Sequence, residues 1–168
     1  LERNPDHPML LTSLAFYSAK GLDFATATTC FRTLGDRYYE GAGFDHVTQY
    51  NNFRGNSYAA VAYDIEDEVP RWELAVEALE IAPNHHYTNY FYGTELLYRG
   101  EFDEARRHFE ISRDAWPGFV WSTYRLGEVA ESTGNPTEAV RQARAVLTLN
   151  PNDEQRARAE EMIARNAS

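Results

Sequence analysis

Five histidines, a single cysteine and scattered acids are the side chains of this chain that could do chemistry. Two histidines follow an aspartate, in Asp6-His7 and Asp45-His46, a pairing that could orient an imidazole for proton transfer or metal ligation. A zinc site needs further ligands, such as a second histidine one helical turn away, and neither pair has one. His85-His86 follows Pro83 where a new helix should start, and adjacent helical residues point in different directions. With His108 alone further on, surface histidines are the expectation for all five. Cys30 lies in the apolar pattern of a helix and reads as a small buried hydrophobe. Glu101 and Asp103 are ordinary loop acids. No nucleophile elbow, phosphate-binding loop, dinucleotide fingerprint or zinc-protease motif occurs. The chain is therefore expected to be no enzyme and to need neither metal nor cofactor.

Composition narrows the partners. The net charge is −10, whereas a nucleic-acid partner needs a basic face. Arg106-Arg107 with Arg113 is the nearest basic cluster and reads as a solvated helix face. Hydrophobic residues at 43% and charged residues at 25% fit a globular chain. No apolar run reaches the roughly twenty residues that span a bilayer, so membrane insertion is not expected. Leu1 to Pro5 lacks a signal peptide's basic start, so either none exists or the chain begins downstream of one. The compartment stays undetermined, with a soluble cytoplasmic protein as the expectation.

What positions these residues is a repeat. Pro83, Pro117 and Pro151 are separated by 34 residues each, and Ala59, Gly93 and Gly127 keep the same step, as do Ala105 and Ala139. Offsets inside each unit recur too: a proline, an apolar residue nine positions later, a small residue thirteen further on. Gly100-Glu-Phe-Asp-Glu-Ala105 and Gly134-Asn-Pro-Thr-Glu-Ala139 read as turns between paired helices. A fixed period of this size marks stacked supersecondary units.

These residues resemble the tetratricopeptide repeat family. The resemblance implies an all-α fold: a right-handed superhelical solenoid of antiparallel helix pairs with a C-terminal capping helix. Small residues at 59, 93 and 127 would let the first helix of a pair approach the second, and the closing proline would end the second. The frame gives one domain over 1–168, with repeats at 8–41, 52–85, 86–119 and 120–153. Residues 1–7 would end a preceding repeat, 42–51 would be an insertion, and 154–168 would cap the solenoid with one wet face. From Asp45 to Asp64 no proline intervenes, so an abnormally long first helix is expected in the second repeat. The chain departs from the family at Arg71, where a small alanine is usual. It departs again at Leu11, Gly55, Asn89 and Thr123, where the family's tryptophan is missing.

In this family the first helices line the concave face, where ligands lie. The resemblance carries that role to Phe53, Asn56 and Tyr63 in the second repeat, Tyr87, Tyr90 and Tyr98 in the third, and Trp121, Tyr124 and Arg125 in the fourth. Aromatic side chains of this kind suit interfaces because they bury much area at small entropic cost. Family members that clamp a terminal carboxylate use lysines there, and Lys20 is the only lysine in this chain. Acidic neighbours, Asp64, Glu128 and Glu131, favour an apolar, proline-rich or basic segment. The expected function is a protein–protein interaction scaffold gripping a polypeptide in an aromatic groove. Two alternatives stand beside it: an accessory segment of a larger enzyme, and a self-assembly module. Burial of the same aromatics between repeats is the competing structural expectation.

Overall fold

The computed structural model describes residues 66 and 68–167, together with ten single positions nearer the start, among them Leu11, Ser18, Asp23, Cys30 and Gly55. The expected insertion, and most of the expected long helix of the second repeat, lie outside the described residues. The chain divides into two compact units, 1–83 and 84–168. Among the described residues every regular element is a helix.

The first unit contributes α1, Glu68–Ile81, which buries Leu74, Ala75 and Ala78 and stops two residues before Pro83. Proline has no N–H to give a helix and pushes the preceding residue out of helical geometry, so the stop is local chemistry. Earlier in this unit Asp23 accepts a bond from the Thr26 backbone, as a helix-starting residue should. Cys30 is buried, and burial, with the charge of Asp23, raises its thiol pKa, which leaves it inert.

The second unit holds two antiparallel pairs and a closing helix. The first pair is α2, His86–Tyr98, with α3, Phe102–Ala115; the second is α4, Val120–Ser132, with α5, Pro136–Thr148; α6 is Asp153–Asn166. Both pairs turn on a glycine with positive φ, Gly100 at 79° and Gly134 at 71°. At each turn the residue after the glycine donates five positions back, Glu101 to Leu96 and Asn135 to Ala130. These bonds satisfy carbonyls that the helix end would otherwise leave bare. The Asp23 amide makes the same five-back bond, to Ser18. Asn135 caps α5 ahead of Pro136, and Asn152 forms a reciprocal capping box with Gln155 at the start of α6.

Packing follows the small residues. A side chain at Gly93 would meet the Phe109 ring at 3.0 Å and the Ala105 carbonyl at 3.3 Å, so glycine lets α2 rest directly on α3. Gly127 serves a different neighbour: its space is filled by Met162 of α6. Ala105, Ala139 and Ala143 are fully buried at the crossings. A cluster of Tyr124, Val146, Ala159 and Met162 joins α4, α5 and α6. The outward positions of α6, among them Arg156, Glu160 and Glu161, are polar and exposed. No helix among the described residues is long and apolar enough to cross a membrane.

Candidate polypeptide-binding face

Within the second unit α4 touches both α2 and α6, so these three helices form one continuous side of the stack. Three-residue and four-residue steps along α2 put Tyr87, Tyr90, Thr94 and Tyr98 on one side of that helix. Arg125 answers from α4. Its guanidinium carbon lies 5.8 Å from the Tyr90 ring centre and 5.8 Å from that of Tyr98, a cation held between two aromatic faces. Its Nη1 donates to Glu128 at 2.6 Å and its Nε reaches the Tyr90 hydroxyl at a long 3.4 Å. Burial opposes the charge of Arg125, yet Tyr90 and Glu128 outweigh it and hold the group ionised. Arg125 lines an open cleft of about 470 Å³, together with Leu97, Tyr98, Phe102, Glu128 and Glu131.

The expected site residues fall into three groups. Tyr98 is 66% exposed and stands at the mouth of this cleft, with Arg125 half-buried behind it. Trp121 and Tyr87 are half-buried, each presenting part of its ring. Tyr90 and Tyr124, at 5% exposure each, belong to the packed interior. Tyr90 sits among Tyr87, Phe109 and Phe119, with the Phe119 ring perpendicular at 5.1 Å. Tyr124 stands edge-on to Trp121 at 5.8 Å and belongs to the cluster that binds α6. Phe53, Asn56 and Tyr63 lie outside the described residues.

Two functional candidates on α6 escape the sequence reasoning. Arg158 places its guanidinium 5.5 Å from the Trp121 ring centre, so this tryptophan also carries a cation on one face. Arg165 grips Glu131 through Nε at 2.6 Å and Nη2 at 2.8 Å, while Asn166 donates to the same carboxylate. Hydrogen bonds from Arg165 lower the Glu131 pKa. The signal is present in the period: Arg158 repeats Tyr124, and Arg165 repeats Glu131, at the 34-residue step. A frame that ends the period at 153 treats 154–168 only as a lid and passes over both.

Of the three acids expected to flank the groove, Glu128 is paired with Arg125 and Glu131 with Arg165, and Asp64 lies outside the described residues. The histidines differ from the surface placement expected of them. His108 is half-buried, shares a 2.9 Å hydrogen bond with Asn89 and packs edge-on against Tyr92. Because the Asn89 amide donates through Nδ2 to the His85 carbonyl, its oxygen accepts, and His108 must donate from Nδ1. His86 is packed against His85, Trp116 and Phe119, and burial, with the charge of His85, lowers its pKa to about 4. A surface placement would have left these rings wet; helix pairing covers them instead. His7 and His46 are outside the described residues. Among those residues no three His, Cys, Asp or Glu side chains group to hold a metal ion.

Residues 93–154 match the family model of the tetratricopeptide repeat. Solved structures agree in fold. Over 95% of this chain and 80% of the other, it is similar to the crystal structure of MamA protein, with a TM-score of 0.64 and 14% identity. It is similar also to TTC0263, a thermophilic TPR protein in Thermus thermophilus, at TM-score 0.59 and 20% identity over 98% and 85% of the two chains. YrrB, described as a TPR protein with an unusual peptide-binding site, gives 0.58 and 15% over 95% of each chain. No curated protein matches the sequence.

Proposed function

We propose that this chain is a protein–protein interaction scaffold that holds an apolar or proline-rich polypeptide segment along the side formed by α2, α4 and α6. Tyr98 and Trp121 are the contact rings, and Arg125 is the polar anchor that receives a backbone carbonyl through Nη2. The observation that carries this reading is the Arg125 guanidinium held between two tyrosine rings at the wall of an open cleft. Its Nε and Nη1 already have partners in Tyr90 and Glu128, so it is oriented before a ligand arrives, and pre-ordering of this kind lowers the entropic cost of binding. Neutralised acids leave no charge preference at the cleft wall, which favours apolar and proline-rich segments over basic ones. Tyr90 and Tyr124 support the contact from beneath and are not themselves anchors.

Panning a random peptide library on the intact chain tests this directly. Enrichment of apolar or proline-containing sequences that lose binding with Tyr98→Ala supports it. Enrichment of lysine- and arginine-rich sequences, indifferent to Tyr98→Ala, counts against it.

A further inference from the structure

The start of α2 carries two histidines side by side, and both rings are largely enclosed. Their centres are 4.4 Å apart. The Nδ1 atom of His85 is buried and has no hydrogen-bond partner among the described residues. His86 stands edge-on to Trp116 at 4.6 Å and to Phe119 at 5.2 Å. Phe119 carries the cluster on to Tyr87 at 6.0 Å and Tyr90 at 5.1 Å, and the Arg125 guanidinium lies over the Tyr90 ring. A continuous run of rings thus links His86 to the polar anchor of the aromatic side.

A proton has no good place at this end of the cluster. His85 is the N-cap of α2 and His86 its first residue, where the unpaired N–H groups of a helix start repel a cation. Among the described residues the titratable groups that face the pair are the two rings themselves and Tyr87. Ser112 and Trp116 approach His86 from the end of α3, Phe119 from the following turn, and Ser122 of α4 stands behind Ser112. Arg113 and Asp114 of α3 pair with each other, so no free carboxylate among these groups meets an imidazolium. Burial lowers both histidine pKa values, that of His86 to about 4 with help from the charge of His85. In an opened first turn His86 would titrate near its ordinary 6.5. Between pH 7 and pH 5 the ratio of opened to closed forms therefore rises about twentyfold from this ring alone.

We propose that the start of α2 is an acid-sensitive gate on the aromatic side: protonation of His86 opens the first turn, takes Tyr87 and Tyr90 off Phe119, and so releases the bound segment. The release rests on the polypeptide-binding reading above; the opening does not.

Amide exchange on the ligand-free chain at pH 7 and pH 5, corrected for intrinsic rates, reads the opening and needs no variant. Protection of the Asn89 and Tyr90 amides should fall about twentyfold, while protection in α5 holds. Calorimetric titration of a panning-selected peptide free of Asp, Glu and His reads the release. Its affinity for the parent should weaken about twofold or more at pH 5, and should hold in His86→Phe. Unchanged protection at Asn89 and Tyr90, an equal fall in α5, or unchanged affinity at pH 5 overturns the gate. Equal weakening in folded His86→Phe overturns it too. A peptide that binds at both pH values alike leaves the aromatic side standing and removes only the gate. If no peptide binds at pH 7, the reading of the aromatic side fails and the release falls with it, while exchange still decides whether acid opens α2.

Discussion

Glu131 of α4 and Arg165 of α6 stand one repeat apart and meet in two parallel hydrogen bonds of 2.6 and 2.8 Å. The pair fastens the closing helix to the stack beside the apolar seat of Met162 over Gly127. Glu131→Gln keeps the shape and removes the charge. With Arg165 about half exposed, the expected cost is about 1 kcal/mol, seen as a lower urea midpoint. The Glu131 pKa is depressed in the folded state, so its contribution is present above the ordinary carboxylate range and lost as pH falls through the folded value. Comparing parent and Glu131→Gln melts across that acid range checks the sign: the difference between them should vanish at the acid end.

His86 adds an acid sensitivity of the same sign, from burial of a neutral ring rather than from an ion pair. Its pKa is lowered from 6.5 to about 4, chiefly by burial. An unfolded chain therefore takes up a proton before the folded one does. Stability attributable to His86 is full above about 6.5, and falls with pH down to about 4. His86→Phe, which suits the rings of Trp116 and Phe119, should flatten this decline. Melting temperature at pH 7 and at pH 5 measures it; an unchanged decline would show that the ring is wet.

Glycine positions separate rigid from yielding contacts. An added methyl at Gly93 meets the Phe109 ring and a backbone carbonyl, neither of which can swing away. At Gly127 it meets the tip of Met162, a flexible side chain, at 2.5 Å. Alanine's helix propensity returns about 1 kcal/mol in both. Gly93→Ala is expected to cost about 1–3 kcal/mol net of that, and Gly127→Ala less. Denaturant midpoints of the two variants give the order.

The fold was legible because its signals are local. Proline and glycine dictate backbone geometry wherever they stand, and Gly100, Gly134 and Pro83 mark helix ends in the structure as in the sequence. The side chains of the site were less legible. Helical spacing places Tyr90, Tyr98 and Tyr124 on one side of their helices, but a tyrosine suits a packed interior and an interface equally well. Only the approach of Phe119 and α6 covers Tyr90 and Tyr124 while Tyr98 stays open. His108 gave no warning either, since its partner Asn89 lies 19 residues away across a helix pair. Arg158 and Arg165 are readable from the period once it is carried into α6.

Burial divides the tyrosines by consequence. Tyr90→Ala removes a ring packed on Phe109 and Phe119 and should cost about 3–5 kcal/mol, as truncation of large aromatic core residues does. Tyr98→Ala should change stability by no more than about 0.5 kcal/mol, as exposed substitutions do. Equal losses in thermal melts would place Tyr98 in the interior and remove it from the site.

The central claim is that a polypeptide segment is held by exposed aromatics around Arg125. The most direct measurement is calorimetric titration of a panning-selected peptide into the folded parent, Tyr98→Ala, Trp121→Ala and, as a control on α3, Ile111→Ala. Truncating an anchor ring costs about 2 kcal/mol, so Tyr98→Ala and Trp121→Ala should each weaken binding roughly thirtyfold. Ile111→Ala should leave it unchanged. Parent-like affinity in both folded aromatic variants would contradict the account.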